Sequence, residues 1–389
     1  MKLLSVQPFL HGPTISPSPG GRAIITHALA KEILKDQINL AIFPHKELVA
    51  EDIRSIIDDE LQAPVFRSFP HIKDISTGTL IKELARQLII PLQPQKALLA
   101  AIESIAFKRA VSIFEPDIVH FHNSVPHVLK KYNFKNQKTK IVTTEHKKIT
   151  EESTKSYDLN DVVIFITRFQ MEEALHFKPN IKDRSQVIYN YASSAYYEHF
   201  SQPDHPIILY LASLNTLSKG FDILLASIQK RGMPDNAILH VIGDGHMRKR
   251  FELEAQDLIK AGKIKFLGRL DKAGNVAELR KASLLVVPSR TEGFGNVYAE
   301  ALCMGVPIIG YHKTIVELDQ CLGRTVGLPF DSENESIDDL WEKMNTLLSS
   351  GMIDEKSRQY IALKAREKFS FKRYANDYLA LYKKLLGGY

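Results

Sequence analysis

Two carboxylates lie around a glycine-containing turn in the second half of the chain. Glu292 stands just before Gly293 and Gly295, and it follows residues 282–288, a short apolar run rich in branched residues and closed by a proline. Such a run is typical of a buried parallel strand. The pattern therefore predicts that Glu292 lies just past the carboxyl end of a strand, where glycines let the backbone approach a ligand.

The second carboxylate, Glu300, falls in a helix that is predicted to run from Asn296 to Met304. The first amides of that helix, at Asn296 and Val297, would carry the partial positive charge of a helix N-terminus, which suits a phosphate. At a rise of about 1.5 Å per residue, the two carboxylates would lie roughly 6 to 12 Å apart. This spacing fits a nucleotide sugar, with the sugar at one carboxylate, the ribose at the other and the pyrophosphate between them. The alternative is an acidic helix start that only offsets the helix dipole.

A lysine is predicted to supply positive charge at the carboxyl ends of the strands in the same sheet. Residues 207–212 have the pattern of a strand, and Lys219 and Gly220 follow before a helix begins. In open α/β sheets, ligands bind in the crevice outside the carboxyl ends of the strands. Lys219 could therefore neutralise a diphosphate and assist its departure. The alternative is an exposed lysine at a helix start, which the helix dipole disfavours.

Two further glycine turns are candidate parts of a ligand site. Gly243 and Gly245 end a predicted strand, but Arg248 stands where a dinucleotide fingerprint would have its third glycine. This turn is therefore predicted to line a nucleotide pocket, with a purely structural turn as the alternative. Gly21, in the Pro/Ser/Gly loop after the first strand, could let the backbone approach a phosphate or sugar; a flexible turn is the alternative.

Histidines cluster at a strand end in the first half. His120 and His122 share one face of a predicted strand, so we expect His122 to contact a sugar and His120 to be a buried, hydrogen-bonded histidine. His146 follows the next predicted strand in the same way, with a site residue and a structural histidine as equal alternatives. A metal site that uses His127 is disfavoured, because no carboxylate or thiolate ligands cluster with it.

The composition sets the broad class. The chain has 389 residues, 44% of them hydrophobic, which is enough for two domains, and a formal net charge of +6, which favours anionic partners. Cys303 and Cys321 offer no disulfide framework, so a reducing cytoplasm is expected. Residues 1–10 do not have the pattern of a signal peptide, and no apolar run reaches the roughly 18 residues of a membrane span.

Two segments leave membrane contact open. Residues 80–114 predict one or two amphipathic helices, which are expected to pack on the first sheet or to make shallow membrane contact. A cluster of lysines is interleaved with aromatic residues, and we interpret it as a solvated surface. Weak contact with anionic lipid is the second hypothesis, and contact with nucleic acid is disfavoured. The members of this cluster are Lys130, Lys131, Lys135, Lys138, Lys140, Lys147 and Lys148.

Apolar strand-like blocks alternate with helical patterns along the whole chain, which predicts α/β architecture with parallel sheets. The predicted strands lie near residues 3–6, 38–43, 118–121, 140–144, 162–167, 207–212, 237–242, 264–267, 284–288 and 307–310. Ser, Asp, Pro and aromatic residues interrupt this pattern between residues 193 and 206. We therefore predict an N-terminal domain over residues 1–195, a C-terminal domain over 196–370 and a terminal helix over 371–389.

These residues together resemble the retaining glycosyltransferases of the GT-B fold, specifically glycosyltransferase family 4. The strongest element is the E-x7-E pattern from Glu292 to Glu300, preceded by Pro288 and followed by residues 301–307. The resemblance extends over nearly the whole chain through the Gly20-Gly21 loop, residues 117–123, Lys219-Gly220, Gly243-Asp244-Gly245 and Phe266-Leu267-Gly268.

The amphipathic terminal helix could cross back onto the first domain. The resemblance implies two Rossmann-like domains facing across a cleft, with donor binding by the second domain. Glu292, His122 and Lys219 would then be catalytic. The implied donor-binding residues are Gly21, Lys219, Gly243, Gly245, Glu292, Gly293, Phe294, Gly295, Asn296, Val297 and Glu300. His146 and Asn123 would lie on the acceptor side, and no metal or other cofactor would be required.

The implied activity is transfer of a sugar, with retention, from a nucleotide sugar to a saccharide or glycolipid acceptor. A UDP-sugar is the favoured donor, and surface polysaccharide or lipopolysaccharide synthesis in the cytoplasm, at the inner face of the plasma membrane, is the expected setting. The family commonly has an arginine shortly before the lysine, whereas Leu214 and its neighbours occupy that place here. Arg290 and Lys313 are candidate substitutes. An inactive homologue that acts as a binding or scaffold subunit is the alternative, and a sugar-nucleotide epimerase is a third, less favoured reading.

Overall fold

The structure is a computed structural model that describes residues 1–7, 39–44, 105, 107–109, 111–123, 138–198, 205–349 and 354–387. It forms two compact units. The first contains residues 1–166, 170–188 and 375–389, and the second contains residues 167–169 and 189–374.

The first unit is built on a parallel sheet of six described strands. They lie in the order β2-β1-β3-β4-β5-β6, and each neighbouring pair is parallel. The strands are β1 (Lys2–Gln7), β2 (Asn39–Pro44), β3 (Ile118–His122), β4 (Lys140–Glu145), β5 (Val162–Phe165) and β6 (Ser185–Val187). Every residue of β3 is buried, including the polar His120 and His122.

Helices α1 (Glu151–Thr154) and α2 (Arg168–Phe177) flank the strands around β5. Thr150 caps α1 through a capping box with Ser153, in which each side chain accepts a hydrogen bond from the other residue's backbone amide. The short 3₁₀ helices Tyr157–Leu159 and Pro179–Arg184 complete this part of the unit.

The second unit is built on a parallel sheet with the order β12-β11-β10-β7-β8-β9. Its strands are β7 (Ile207–Leu211), β8 (Ile238–Ile242), β9 (Ile264–Gly268), β10 (Leu284–Val287), β11 (Ile308–Tyr311) and β12 (Gly327–Phe330). Counted along the chain, this is the 3-2-1-4-5-6 order of a Rossmann sheet, in which the strand order reverses between β7 and β10. Ligands bind at this switch point in open α/β sheets, outside the carboxyl ends of the strands.

Helices cover the second sheet and place their apolar stripes against it. In α3 (Phe221–Arg231), for example, Phe221, Leu224, Leu225 and Ile228 are buried at the spacing of one helical face. The other helices of this unit are α4 (Arg248–Glu254), α5 (Gln256–Lys260), α6 (Lys272–Lys281), α7 (Asn296–Cys303), α8 (His312–Leu322), α9 (Ile337–Ser349) and α10 (Glu355–Lys368). Three 3₁₀ helices, Ser194–Tyr196, Leu217–Lys219 and Pro234–Asn236, join these elements.

The last helix, α11 (Phe371–Leu385), begins in the second unit, and its residues from Ala375 onwards belong to the first. Its Tyr378 and Tyr382 are fully buried and hydrogen-bond to side chains of β3 and β4. The predicted α/β architecture with two parallel sheets is confirmed.

Some predictions concern residues outside the described part of the chain. Gly20, Gly21, His127, Lys130, Lys131, Lys135 and most of residues 80–114 are among them, although residues 107–109 and 111–114 are helical. Within the described residues, no helix has the length and apolar character needed to cross a membrane.

Candidate functional site

Lys219 and Glu292 meet at the switch point of the second sheet. Lys219 ends the 3₁₀ helix that follows β7, and Glu292 lies in the turn that follows β10. The Lys219 ammonium donates a hydrogen bond to Glu292 Oε1 over 2.5 Å, and Ser289 Oγ donates to the same oxygen over 3.1 Å. The Glu292 side chain is 10% exposed and that of Lys219 is 31% exposed. The two charges that the sequence places at separate strand ends therefore form one partly buried ion pair.

Gly220 lets the lysine turn lie close to the end of β10. Its φ is +71°, in the left-handed region that favours glycine, and a Cβ added there would lie 2.0 Å from the carbonyl oxygen of Pro288. The Arg290 amide also donates to the Ser218 carbonyl over 2.8 Å. These contacts fix the distance between the two strand ends, which brings Lys219 to Glu292.

Arg290 strengthens the same junction rather than facing an open site. Its guanidinium binds both carboxylate oxygens of Asp222 at 2.9 and 2.7 Å, and it also donates to the Leu217 carbonyl. The Asp222 carboxylate holds the pKa of Arg290 above its ordinary value. Arg290 was a candidate for the diphosphate-binding arginine, but here its two terminal guanidinium nitrogens donate to the Asp222 carboxylate. Leu214, at the place of the expected arginine, is buried.

Helix α7 begins next to this ion pair. Its N-cap is Gly295, which has no side chain to cap the first amides and whose φ is +69°. Uncapped amides at a helix N-terminus suit an anion. The helix runs from Asn296 to Cys303, one residue shorter than predicted.

Tyr298 packs beneath the turn that leads into α7. It is fully buried, its hydroxyl donates to the Val287 carbonyl over 2.8 Å, and it accepts from the Tyr311 amide over 3.3 Å. A Cβ at Gly295 or at Gly310 would lie 2.5 Å from its side chain. Tyr298 therefore ties the ends of β10 and β11 to the start of α7, and both glycines are required by its volume.

Glu300, one turn further along α7, lies in a polar niche. The Tyr196 hydroxyl hydrogen-bonds to its carboxylate, and Lys272 lies close enough to interact with its charge. Burial raises the pKa of Glu300 to about 7, and Lys272 and the Tyr196 hydrogen bond only partly oppose this effect. Glu300 therefore changes charge near neutral pH.

The Gly243 turn is packed against the loop that leads to Lys219. The Gly243 amide donates to the Gly268 carbonyl over 2.8 Å, and the Leu214 amide donates to the Asp244 carbonyl over 3.0 Å. A Cβ at Gly243 would lie 1.9 Å from the Ala212 carbonyl oxygen. The predicted turn is thus closely packed at the carboxyl ends of β7, β8 and β9, and its contact with a nucleotide stays a prediction.

The histidines of the first unit form a buried row at the ends of β3 and β4. The ring centroids of His120 and His122 are 4.2 Å apart, and His122 Nδ1 lies 3.4 Å from His146 Nε2. His120 Nδ1 lies 2.6 Å from the Tyr382 hydroxyl and its Nε2 lies 2.8 Å from Thr144 Oγ1, so the prediction of a satisfied buried histidine is confirmed.

The charge state of these histidines follows from their burial. Burial lowers the pKa of His122 to about 3, and burial together with His122 and His146 lowers the pKa of His120 well below its ordinary value. Both rings are therefore neutral near pH 7. Asn123, the next residue, has a φ of +89°, a strained conformation that asparagine tolerates better than most residues. Neutral imidazoles and an amide are hydrogen-bonding groups that suit a hydroxyl-bearing ligand.

Several residues with contacts to this site were not predicted from sequence. They are Ser289, which donates to Glu292; Tyr298; Tyr196 and Lys272, which act on Glu300; and Asn190, which donates to Asn296. The glycines at 295 and 310 were the available signal for Tyr298, because each marks a place where a large group packs against the backbone. Among the described residues, no three His, Cys, Asp or Glu side chains are grouped to hold a metal ion.

Comparison with known proteins agrees with this geometry. Residues 194–368, which lie within the second unit, match the family described as Glycosyl transferases group 1. One curated relative is N-acetyl-alpha-D-glucosaminyl L-malate synthase of Bacillus anthracis, 29% identical over 219 residues, or 50% of this chain and 56% of the relative. The chain spans smaller shares, from 26% to 40%, of six other curated glycosyltransferases.

Solved structures match almost the whole chain. HepE of Anabaena, in complex with UDP and glucose, has a TM-score of 0.69 at 16% identity, covering 99% of this chain and 100% of its own. The lipopolysaccharide outer core galactosyltransferase WaaB has a TM-score of 0.71 at 16% identity, covering 99% and 100%. At this level of identity the likeness establishes the fold. The chain thus has the GT-B fold, and its residues 194–368 match the family of group 1 glycosyl transferases.

Proposed function

We propose that this protein is a glycosyltransferase that moves a sugar from a nucleotide sugar, preferably a UDP-sugar, to a saccharide or glycolipid acceptor. The observation that carries the proposal is the Lys219–Glu292 pair at the switch point of the second sheet, beside the uncapped N-terminus of α7. A cation, the free amides of a helix and a carboxylate that accepts hydrogen bonds then lie together at the carboxyl ends of β7 and β10. These are the groups that a diphosphate and a sugar need.

Each group has a separate role in the proposal. Lys219 and the amides of Asn296 and Val297 bind the diphosphate, and Glu292 accepts hydrogen bonds from hydroxyls of the transferred sugar. Donor binding draws the Lys219 ammonium towards the phosphates, and the Glu292 oxygen that it leaves is then available to the sugar. Glu300 accepts from the ribose hydroxyls.

The reaction separates charge, and these residues stabilise both parts. As the bond between the sugar and the diphosphate breaks, positive charge develops on the sugar ring and negative charge on the leaving phosphate oxygen. Glu292 lies near the first and Lys219 near the second. The acceptor hydroxyl forms the new bond to the anomeric carbon on the face that the phosphate leaves, and its proton passes to the departing diphosphate. Retention of configuration is part of this proposal.

The first unit provides the acceptor side. His122, His146 and Asn123 offer neutral hydrogen-bonding groups at the ends of β3 and β4, and we assign His122 to the transferred sugar. No metal is required in this mechanism, because Lys219 and the helix amides meet the charge of the diphosphate. Activity that persists in excess EDTA would support this point, and activity that returns only on adding Mg²⁺ or Mn²⁺ would refute it.

The cellular setting is also a proposal. The HepE structure holds UDP and glucose, which supports a UDP-sugar donor, and WaaB acts in the lipopolysaccharide outer core, which supports a surface saccharide or glycolipid acceptor. We place the reaction in the cytoplasm, at the inner face of the plasma membrane, where a lipid-linked acceptor would lie. The alternative of an inactive binding subunit gains no support from the comparisons, since the curated relatives are glycosyltransferases.

A thermal-shift screen with UDP, GDP, ADP and CMP and their sugars tests the proposal. A ligand that binds the folded state raises the melting temperature in proportion to the logarithm of its concentration over its Kd. We expect one nucleotide class to stabilise the protein and the Lys219→Ala variant to lose that effect. Absence of stabilisation by any of them at millimolar concentration would contradict the donor site.

A further inference from the structure

Asn190 is a buried polar residue next to the start of helix α7. It is 4% exposed, and its Nδ2 donates to Asn296 Oδ1 over 2.9 Å. Asn296 is the first residue of α7. The two residues are 106 positions apart in sequence, so this bond is made only by the tertiary fold.

The backbone around Asn190 is firmly held. Arg373 donates to the Tyr189 carbonyl over 2.7 Å and to the Asn190 carbonyl over 3.3 Å, and the Ala192 amide donates to the Phe369 carbonyl over 2.9 Å. The Tyr189 ring packs at 6.2 Å from Phe294, in the turn before α7. The segment that carries Asn190 is thus fixed against the turn that carries the donor site.

Only half of the Asn190 amide is satisfied. Its Oδ1 is buried and has no hydrogen-bond partner among the described residues. A buried acceptor without a partner costs about 1 to 3 kcal/mol, and an apolar side chain at position 190 would remove that cost, while the partly exposed Asn296 carboxamide could bind water instead. Stability alone therefore does not account for an asparagine at position 190, and the bond that it does make is the feature to explain.

That bond controls the carboxamide of Asn296. Asparagine side chains near a helix start accept hydrogen bonds from neighbouring backbone amides and so compete with other acceptors. Asn296 is the first helical residue, after the N-cap Gly295, and with its Oδ1 held by Asn190 its side chain is kept from accepting hydrogen bonds from the free amides of its own first turn. The amides of the first turn then stay open to an anion.

We propose that Asn190 is a positioning residue that keeps the N-terminus of α7 open for the donor diphosphate by holding the Asn296 carboxamide aside. The inference rests on the proposed function, since it assigns a partner to the phosphate-binding amides. It adds a contribution from residue 190, which lies outside the segment matched to the glycosyl transferase family.

The test uses Asn190→Leu, which keeps the size of the side chain and removes both polar groups. We expect the melting temperature to be unchanged or higher and the Kd for UDP, measured by isothermal titration calorimetry, to rise about tenfold, the equivalent of one hydrogen bond. GDP and ADP serve as probes if UDP does not bind the wild type. The Asn190→Leu, Asn296→Ala double variant should bind more tightly than Asn190→Leu, because the competing carboxamide is gone.

Asn160 provides a matched control in the first unit. It is 3% exposed, and both ends of its amide are satisfied, Oδ1 by Thr143 at 2.6 Å and Nδ2 by the Ser156 carbonyl at 3.2 Å. Asn160→Leu should lower the melting temperature and leave the Kd unchanged, the opposite pattern. An Asn190→Leu variant that binds the nucleotide as tightly as the wild type would overturn this inference alone. A wild type that binds none of the three nucleotides, and is not stabilised by CMP either, would overturn the proposed function and the inference with it.

Discussion

The Lys219 ammonium lies 2.5 Å from Glu292 Oε1, which joins the loops that follow β7 and β10 across the switch point of the second sheet. Neither partner is fully exposed, at 31% and 10%. The pair therefore places a positive and a negative group side by side at the carboxyl ends of β7 and β10. Their exchange of partners is the step on which the proposed donor binding depends.

Replacement of Lys219 should therefore weaken nucleotide binding. In Lys219→Ala the cation for the diphosphate is lost and Glu292 is left without its partner, so we expect the Kd for the nucleoside diphosphate to rise by at least about tenfold. Isothermal titration calorimetry measures the change. Lys230, which forms an exposed ion pair with Asp338 at 2.5 Å, is the matched control. A Lys230→Ala variant that loses as much affinity would show that the effect is not specific to the site.

The Glu300 carboxyl should make donor affinity depend on pH. Burial raises its pKa to about 7, and ribose hydroxyls bind better to the ionised form. Nucleotide affinity should then increase from pH 6 to pH 8, and Glu300→Gln should bind more weakly and keep only the smaller part of this increase that comes from ionisation of the terminal phosphate of the nucleotide. Calorimetry at three pH values, corrected for buffer ionisation, measures this. An unchanged slope in Glu300→Gln would assign the pH dependence to another group.

The same carboxyl has an opposite effect on stability. Because its folded pKa lies above the unfolded value of about 4.5, the folded protein binds the proton more tightly between these values. The stabilisation is complete below about pH 4.5 and is lost as the pH rises through about 7. Deprotonated Glu300 is thus less favourable for folding but is the form proposed to bind ribose, as expected where function and stability compete.

The histidine row should make the first unit sensitive to acid. Burial lowers the pKa of His122 to about 3, below the unfolded value of about 6.5, so the unfolded chain binds protons more readily between these values. Stability is therefore expected to fall as the pH drops below about 6.5. Between pH 7 and pH 5, denaturant midpoints should decrease less in His122→Gln than in the wild type. Exposed His176 is the control, and His176→Gln should behave as the wild type does.

Tyr298 should be required for the packing of the turn before α7. Tyr298→Phe removes the hydroxyl that donates to the Val287 carbonyl and accepts from the Tyr311 amide, and we expect a loss of about 1 kcal/mol in the free energy of unfolding. Gly310→Ala should cost more, because its Cβ would lie 2.5 Å from the tyrosine side chain. Equilibrium denaturation measures both. If Gly310→Ala unfolds at the wild-type midpoint, the packing described for Tyr298 is wrong.

Much of the fold could be predicted from the sequence because ten strands are apolar blocks between helical patterns. The two strands that were missed, β6 and β12, lie at the edges of their sheets. β6 contains one apolar residue, Val187, and β12 contains Gly327 and Pro329. Edge strands need less apolar surface, and they tolerate a proline because one side of the strand makes no ladder bonds. Local patterns therefore do not reveal them.

The candidate site was predictable as separate residues but not as contacts. Lys219, Glu292 and the start of α7 were each recognised from local strand-to-helix patterns. Three contacts join residues that are far apart in the chain: the Lys219–Glu292 ion pair, the Arg290–Asp222 ion pair and the hydrogen bond from Asn190 to Asn296. Such contacts depend on how the strands are ordered in the sheet, which no local pattern specifies.

Cleavage of the donor tests the central claim most directly. Wild type, Glu292→Gln and the exposed control Glu342→Gln would be incubated with the nucleotide sugar selected by the thermal-shift screen, and release of the nucleoside diphosphate would be followed over time. We predict slow release by the wild type and by Glu342→Gln without acceptor, and a rate lower by about 100-fold or more in Glu292→Gln although it still binds the nucleotide. Equal rates in the wild type and Glu292→Gln, or no release by the wild type with any nucleotide sugar that binds, would contradict the proposed glycosyltransferase.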